Sequence, residues 1–343
     1  MDLRACFQIE VASGLRQSLG DGTIAARSII KIWTWLRLFH PRELSRDSRD
    51  HFNLKTGSYQ SFTVFDPKIR SIHKASVKDR LVHQIIYTVL VGLFDQRFIF
   101  HSFSCRLGKG THQGNFHLKR MIMKVSKNGK KPCYALKMDI RRFFDNVDHN
   151  ILKTLIRRGL KDEKVLIIVD RIIDSFKTAS SNFGDVGIPL GNVTSQIFAN
   201  IYLHELDLFI KHQMKEKYFV RYCDDFIILS EDQNHLLSLI PHISTFLKKQ
   251  LHLELHPKKV ILKQLHQGID FLGQILFLHH KIVRTKTKQR IIKKLKKGFS
   301  DYEKEVIDAR SMDQRLQSYL GILSHSNQFE LSQSLKNVFW NRS

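Results

Sequence analysis

Cysteine is scarce in this sequence: only four occur among 343 residues, namely Cys6, Cys105, Cys133 and Cys223. Their positions form neither a CxxC pair nor a Cys/His ligand spacing, which speaks against a disulfide framework and a cysteine-based structural zinc site. Long apolar runs are also missing, since no uncharged stretch approaches the ~18 residues that a membrane helix needs. We therefore expect neither secretion nor membrane insertion, and a reducing cytoplasm fits this composition.

Acidic residues are few relative to basic ones: 32 aspartates and glutamates accompany 56 lysines and arginines, which gives a net charge of +24. Such an excess attracts polyanions through long-range steering and counterion release, so nucleic acid is the favoured partner. Charge alone leaves open a basic protein that needs solubility or touches ribosomes. The hydrophobic content of 42% suffices for a substantial core and predicts two or three globular subdomains sharing one fold.

Helical and strand-like patterns alternate along the chain. Residues 1–50 include a helical stretch, Thr23 to His40, and residues 62–73 have the alternation of a basic hairpin. Further helices are predicted at Asp79–Phe94, His149–Gly159, Glu163–Phe176, Thr194–Gln213 and Asn234–Leu251, with a strand at Tyr134–Met138 and a hairpin at Tyr218–Leu229. Two β-rich acidic segments separated by helices favour an α+β fold over a parallel Rossmann sheet.

Three aspartates interrupt apolar strands. Asp224 and Asp225 lie side by side in the hairpin 218–229, where a buried strand would ordinarily exclude charge. A turn there could present both carboxylates at a cleft, where divalent metal would offset their repulsion and desolvation. Taken alone, the pair would more often be an ordinary acidic turn. Asp139, at the end of the apolar strand 134–138, supplies a third carboxylate.

On an adjacent strand, Asp139 would complete a cage of three carboxylates with Asp224 and Asp225. Phosphoryl transfer needs such a cage, because one metal ion lowers the pKa of the attacking 3′-hydroxyl and a second neutralises the triphosphate and pyrophosphate. Oxygen ligands suit two Mg²⁺ ions, for which Mn²⁺ could substitute. Asp145 and Asp148 lie nearby in sequence, but we expect them to form a turn and cap the following helix.

Asp139 with the following Phe143-Phe144, the Tyr-Cys-Asp-Asp segment ending at Asp225, and Phe271-Leu272-Gly273 together resemble the palm motifs of reverse transcriptases. The resemblance runs from about residue 60 to the end of the printed sequence. It implies a right-hand polymerase fold that synthesises DNA on an RNA template. The implied parts are an N-terminal helical extension (1–50), fingers (51–132), a palm with an antiparallel sheet (133–280) and a helical thumb (281–343).

The same resemblance gives roles to single palm residues. Asp139, Asp224 and Asp225 would be catalytic and would bind the metal ions, with Ile140 among the metal-binding residues. Phe144, five positions after Asp139, occupies the place of the gate against a ribose 2′-hydroxyl, and an aromatic there favours deoxynucleotides. The alternative for Phe144 is an ordinary core aromatic.

Basic residues are expected at two further places. Lys68 and Arg70 resemble finger residues that contact the incoming triphosphate, although each could be a merely solvated charge. The densely basic segment Lys281–Lys297 would hold the template–primer backbone in the thumb, a contact that weakens with salt; the alternative is a solvated helix face. The predicted nucleic-acid-binding residues are Lys286, Lys288, Arg290, Lys293 and Lys294.

One segment departs from the common pattern of reverse transcriptases. Most have Pro-Gln-Gly where this chain has Pro189-Leu190-Gly191, so an aliphatic side chain replaces an amide that normally packs by the templating pair and incoming nucleotide. The pattern from Leu190 to Gln196, Leu-Gly-x-x-x-Ser-Gln, resembles the reverse transcriptases of diversity-generating retroelements. Leu190, Gly191 and Gln196 are therefore predicted to contact the nucleotide, with helix and turn packing as the alternative for Leu190 and Gln196.

That narrower resemblance implies partners and a setting. The enzyme would copy a template-repeat RNA from a primer with dNTPs, misincorporating opposite adenines, to diversify a variable gene in a bacterium or phage. A small basic accessory protein, itself oligomeric, would assist it. We see no RNase H or Cys/His-rich endonuclease segment in the sequence, so we expect other factors to nick the target and remove the template.

Other classes remain open at this point. The same chemistry would serve a retron-like, group II intron-like or phage-defence reverse transcriptase. An RNA-dependent RNA polymerase would need a polar residue near position 144, and Phe144 argues against it. A non-enzymatic RNA-binding scaffold is disfavoured by the retention of all three aspartates, since buried acids without metal would destabilise the site.

Overall fold

The computed structural model describes residues 59–65, 68–178 and 184–340, so the predicted N-terminal extension at 1–50, with its helix, lies outside the described residues. The described chain divides into two compact units. The first unit contains the described part of residues 1–99, with Arg142–Asp207 and Lys249–Leu253. The second contains Phe100–Arg141, Leu208–Lys248 and the described part of 254–343.

The secondary structure mixes helices and short strands throughout the described residues. The α-helices are α1 (Val77–Phe94), α2 (Thr111–Val125), α3 (His149–Gly159), α4 (Glu163–Asp174), α5 (Val193–Leu208), α6 (Gln233–Gln250), α7 (Thr285–Glu303), α8 (Ala309–Ser324) and α9 (Phe329–Trp340). The strands are β1 (Gln60–Val64), β2 (Arg70–Lys74), β3 (Tyr134–Asp139), β4 (Phe219–Tyr222), β5 (Asp225–Ser230), β6 (Ile261–Gln264), β7 (Ile269–Phe271), β8 (Gln274–Leu276) and β9 (Lys281–Val283).

The first unit consists of helices with one antiparallel hairpin, β1–β2. Asp148 is the N-cap of α3, because its carboxylate accepts hydrogen bonds from the backbone N–H groups of Asn150 and Ile151. The fully buried Tyr202 on α5 accepts a hydrogen bond from the backbone N–H of Asp148 and donates one to the carbonyl of Leu251. The capping role predicted for Asp148 is confirmed, and Tyr202 fixes this end of α3.

The second unit is organised on an antiparallel four-stranded sheet in the order β4-β5-β3-β6. Helix α2 packs on this sheet through Leu118, Met121 and Ile122, which belong to one buried cluster with sheet residues such as Val220 and Ile227. A separate antiparallel sheet has the order β7-β8-β9. The α+β class and the antiparallel sheet predicted from the sequence are confirmed.

The C-terminal helices α7, α8 and α9 form a second apolar cluster with β9. Ile291 and Leu295 of α7 are buried there, as their helical spacing predicts. Strand β9 pairs with β8, so this sheet crosses the predicted palm–thumb boundary at residue 280. The subdomain bounds drawn from the resemblance, this boundary included, stay predictions. Among the described residues, no helix combines the length and the apolar content that crossing a membrane requires.

One predicted helix differs in its last turn. The sequence pattern predicts a helix from Thr194 to Gln213, whereas α5 ends at Leu208 and residues Phe209–Gln213 form a π-helical turn. The backbone N–H of Met214 bonds to the carbonyl of Phe209 at 2.9 Å, the wider spacing of a π-helix. The Phe209 ring stacks on Phe246 with centroids 4.1 Å apart, a tertiary contact that local periodicity cannot reveal.

Candidate active site

The pairing of β3 with β5 sets two of the three predicted catalytic aspartates opposite each other. The antiparallel register places Asp139, the last residue of β3, directly across from Asp225, the first residue of β5. Tyr222 of β4 pairs with Asp225 on its other side, which leaves Cys223 and Asp224 as a two-residue turn. The structure therefore brings Asp139, Asp224 and Asp225 to one end of the sheet.

The turn between β4 and β5 is held by specific hydrogen bonds. Cys223 has a positive φ of 55°, a conformation that non-glycine residues adopt at a cost. The fully buried Arg221 donates from Nη1 to the Cys223 carbonyl at 3.1 Å. The backbone N–H of Ile140 donates to the Asp224 carbonyl at 3.2 Å, so the turn is fastened to the residue that follows Asp139.

The end of β3 is also fixed from its other side. The backbone N–H of His256 donates to the Asp139 carbonyl at 2.8 Å, and that of Arg141 donates to the Glu254 carbonyl at 2.8 Å. Ile140, predicted among the metal-binding residues, has a buried apolar side chain and could offer a metal only its main-chain oxygen. The end of β3 is thus fixed by backbone hydrogen bonds on both sides, to the turn at Asp224 and to residues 254–256.

Burial and mutual repulsion raise the pKa values of two of these acids. Desolvation raises the pKa of Asp224, and the charge of Asp139 adds to the rise. Desolvation also raises the pKa of Asp225, to about 6, against a lowering by Lys137 and a further rise from Asp139 and Asp224. Asp224 and Asp225 therefore lose their protons less readily than exposed aspartates do.

Two lysines that the sequence analysis did not single out neutralise part of this charge. Lys259 donates to Oδ1 of Asp139 at 2.7 Å, and Lys137 lies 3.1 Å from Oδ2 of Asp225. Lys137 is two positions before Asp139 on β3, so strand alternation places both side chains on one face. Lys259 is far away in the sequence, and no local pattern marks it.

The oxygen atoms of this site fit divalent metal ions. Oδ1 of Asp225 is buried and has no hydrogen-bond partner, and an unpaired buried carboxylate oxygen is costly. A cation beside it would satisfy that oxygen and offset the repulsion among the three carboxylates. The donor set of carboxylate oxygens suits a hard cation such as Mg²⁺.

The predicted nucleotide-binding residues lie in the first unit. Lys68 precedes β2 and Arg70 begins it, and both side chains are exposed. Phe144 is half-buried in a 3₁₀ turn with its ring 5.2 Å from that of Phe143, and its carbonyl accepts from the backbone N–H of Ile188 at 2.8 Å.

The segment with the unusual leucine is joined to strand β2. The backbone N–H of His73 donates to the Leu190 carbonyl at 2.8 Å, and the Asn192 side-chain amide donates to the His73 carbonyl at 2.9 Å. Gly191 has a φ of +115°, and a Cβ atom there would lie 2.7 Å from Cγ2 of Ile72. Leu190 and Gly191 are therefore brought together with the strand that carries Arg70.

Gln196, the last residue of the Leu-Gly-x-x-x-Ser-Gln pattern, is exposed on the first turn of α5. The preceding Ser195 is buried and its hydroxyl donates to the Pro189 carbonyl at 2.6 Å. The serine of the pattern thus has a structural role in closing the turn from Pro189 into α5. Binding of nucleotide by Leu190, Gly191 and Gln196 stays a prediction.

The predicted nucleic-acid-binding residues all lie on α7 of the second unit. Lys286, Lys293 and Lys294 are exposed, and Lys288 and Arg290 are half-buried. Because Ile291 and Leu295 face the apolar cluster, the helix has one buried face and one basic face.

Comparison with known proteins identifies a family. The family described as reverse transcriptase (RNA-dependent DNA polymerase) matches residues 55–276. A protein of Schizosaccharomyces pombe named "uncharacterized 91 kDa protein in cob intron" is 28% identical over 149 residues, covering 43% of this chain and 18% of that protein. The group II intron-encoded protein LtrA of Lactococcus lactis is 28% identical over 153 residues, covering 44% of this chain and 24% of that protein.

A bacterial relative matches over more of its length. Protein YkfC of Escherichia coli is 21% identical over 325 residues, covering 81% of each chain. The intron proteins are longer, since this chain spans 18% of the S. pombe protein and 30% of the COX1/OXI3 intron 2 protein of Saccharomyces cerevisiae. Among solved structures, telomerase of Candida albicans with a fragment of telomeric RNA is similar at a TM-score of 0.48 and 14% identity, covering 78% of this chain and 54% of that one.

We predict that replacing Asp225 by Asn stabilises the metal-free protein at neutral pH. The pKa of Asp225 is raised from 3.8 to about 6 in the folded state. Between these two pH values the unfolded chain releases the proton more readily, so the free energy of unfolding falls as the pH rises. At about 1.4 kcal/mol per pKa unit, the variant should gain roughly 2–3 kcal/mol at pH 7. Lys137 keeps its hydrogen bond to the Asp270 carbonyl in the variant, so its ammonium group is not left without an acceptor.

Thermal unfolding of wild type and Asp225→Asn, measured in chelator at several pH values, checks this expectation. The gap in Tm should shrink as the pH falls and close only below about pH 3, where the Asp225 carboxyl is protonated in both the folded and the unfolded state. Glu254→Gln is the matched control, because Glu254 is an exposed partner of Arg141 beside the same strand end. A variant less stable than wild type at pH 7 would contradict the prediction.

We predict that Gly191→Ala destabilises the first unit. Alanine would be strained at this positive φ, and its Cβ would press on Ile72 of β2. The two effects together should cost about 1–3 kcal/mol. Chemical denaturation measures the loss, and Gly184→Ala is the control, because it shares a positive φ but has open space around its Cβ position. Equal losses in both variants would show that the contact with Ile72 is unimportant.

Proposed function

The chain belongs to the reverse transcriptase (RNA-dependent DNA polymerase) family, with the right-hand polymerase fold of that family, and we propose that it synthesises DNA on an RNA template. The observation that carries the proposal is the register of β3 against β5. It sets Asp139 opposite Asp225 and beside Asp224, three carboxylates that share one end of a sheet. Such a group of oxygen ligands is what nucleotidyl transfer by two metal ions requires.

In the proposed reaction Asp139, Asp224 and Asp225 hold two Mg²⁺ ions. When bound, the ions activate the primer 3′-hydroxyl and neutralise the triphosphate and leaving pyrophosphate. The role of the protein is to fix the carboxylates before the ions arrive, through the backbone bonds of Ile140 and His256. Lys137 pairs with Asp225 and Lys259 with Asp139, so the two lysines limit the repulsion between carboxylates while no ion is bound.

Other residues would choose and position the substrates. Phe144 would exclude a ribose 2′-hydroxyl, which favours dNTPs, while Lys68 and Arg70 would contact the triphosphate. The basic face of α7 suits the phosphates of template and primer without reading their sequence, an interaction that salt weakens. The net charge of +24 supports a polyanionic partner.

For the biological setting we favour the lineage of diversity-generating retroelements, in which a template-repeat RNA is copied with errors to diversify a variable gene. The support is Leu190 in place of glutamine and the Ser195-Gln196 pair that follows. A small basic accessory protein would belong to that setting. The second candidate is an intron-encoded enzyme, favoured by the similarity to LtrA and to other proteins named for introns.

Primer extension on an RNA template with Mg²⁺ tests the activity. We expect purified protein to extend with dNTPs in preference to NTPs. Asp224→Asn with Asp225→Asn should lower the rate by roughly a thousandfold or more, because several kcal/mol of charge stabilisation by metal is lost. Glu254→Gln should keep wild-type activity. Full activity in the double aspartate variant would refute the site, and no synthesis by wild type, even with native template RNA and accessory protein, would favour a scaffold role.

Sequencing the extended products separates the two lineages. Errors concentrated opposite template adenines are expected for the diversity-generating lineage, and Leu190→Gln should reduce them because it restores the amide found in most of the family. Accurate copying by wild type, together with binding to a group II intron RNA, would instead favour the intron-encoded candidate.

A further inference from the structure

A second group of possible metal ligands lies in the first unit, away in sequence from the three aspartates discussed above. It consists of His149 at the start of α3, Asp174 at the end of α4, and Asp185 in the segment that leads to Pro189, and is called the His149 cluster below. One ligand atom from each residue lies within 4.8 Å of the others. The separation of Nδ1 of His149 from Oδ1 of Asp174 is 3.6 Å.

The histidine of this cluster is oriented for metal binding. Its side chain is only 1% exposed, and Nε2 lies 2.8 Å from the Gly187 carbonyl. A carbonyl oxygen can only accept, so Nε2 carries a hydrogen, and a ring with its hydrogen there can present a lone pair on Nδ1 to a metal ion. Nδ1 is buried and has no hydrogen-bond partner. A ring that donates one N–H to a backbone carbonyl and turns its other nitrogen to carboxylates has the arrangement of a metal-ligating histidine.

The carboxylates of the cluster are paired with lysines that an ion could displace. Lys153 donates to both oxygens of Asp174 at 2.6 and 2.7 Å, and Lys177 lies 2.6 Å from Oδ1 of Asp185. The Lys177–Asp185 pair is half exposed on both sides, and exposed pairs contribute little to stability. Both lysines bond to carboxylates, and neither donates to Nδ1 of His149, which has no hydrogen-bond partner.

We propose that His149, Asp174 and Asp185 bind a divalent transition-metal ion, Zn²⁺ in particular, with water as a fourth ligand. An imidazole nitrogen favours Zn²⁺ over Mg²⁺ or Ca²⁺, which prefer oxygen ligands only. Bond lengths of about 2.0–2.2 Å in a tetrahedral site put ligand atoms roughly 3.4 Å apart. The nitrogen–oxygen separation already found between His149 and Asp174 is close to that value.

The bound ion would have a positioning role. Residues 185–188 are already hydrogen-bonded to the turn before α3. The backbone N–H of His149 donates to the Asp185 carbonyl, and that of Gly187 donates to the Val147 carbonyl. Ile188 donates in the same way to Phe144. An ion on the His149 cluster adds a side-chain link between α3, α4 and this segment, which continues into Leu190.

Calorimetric titration of the chelator-treated full chain with Zn²⁺ tests the proposal. Excess Mg²⁺ in the buffer occupies the all-oxygen site of Asp139, Asp224 and Asp225 but competes poorly for an imidazole. We expect one tight Zn²⁺ equivalent and a rise in Tm. Asp185→Asn, a change at an exposed side chain, should weaken binding by roughly 10- to 100-fold or more. Binding no tighter in wild type than in Asp185→Asn would overturn the proposal.

Two further variants make the test specific. Asp170→Asn is the matched control, because Asp170 lies on the same helix α4 but pairs with Arg157 outside the cluster; it should leave Zn²⁺ affinity unchanged. Lys177→Met should tighten binding severalfold, because it removes the cation that competes for Asp185. Histidine NMR gives an independent readout. Zn²⁺ should shift the Nδ1 resonance of His149, and an Nδ1 that stays unperturbed at saturating Zn²⁺ would reject the site.

Discussion

Repulsion among three carboxylates at one end of a sheet is the constraint around which the second unit is organised. Asp139 and Asp225 are direct cross-strand partners, and like charges in such positions oppose strand pairing. The strands nevertheless pair, because β3 is hydrogen-bonded to β5 on one side and β6 on the other. Its residues Ala135, Leu136 and Met138 are also buried and apolar. The free energy gained from strand pairing and burial in the sheet thus offsets the repulsion between the carboxylates.

The lysines at this site offset part of the negative charge of the acids, and a cation could displace them. Lys259 is about two-fifths exposed and Lys137 about one-fifth, so the first is the more readily displaced by a cation. Each pairs with a different carboxylate, Asp139 and Asp225 respectively. Asp224 lies at the turn, where desolvation and the charge of Asp139 raise its pKa. Positive charge brought by divalent metal would relieve all three acids at once.

The features that could be predicted from the sequence are those with local causes. The bounds of α3, His149–Gly159, agree with the periodicity because Asp148 caps the helix directly before it. The hairpin bearing Asp224 and Asp225 follows from two apolar runs around an acidic turn. Lys259 was missed because its distance to Asp139 is set by β6 and the loop before it. The orientation of His149 was missed for a similar reason, since the carbonyl that bonds to its Nε2 belongs to Gly187, 38 positions away in the sequence.

In the segment around Leu190, some side chains are required by the local backbone structure and others are not. The bond from His73 to residue 190 uses main-chain atoms only, so it places no requirement on the side chain there. Gly191 is different, because its positive φ and the nearness of Ile72 both disfavour any larger residue there. Ser195 closes the turn through its hydroxyl. A change from glutamine to leucine at position 190 can therefore alter the side chain at the proposed nucleotide contact while the backbone that positions it stays the same.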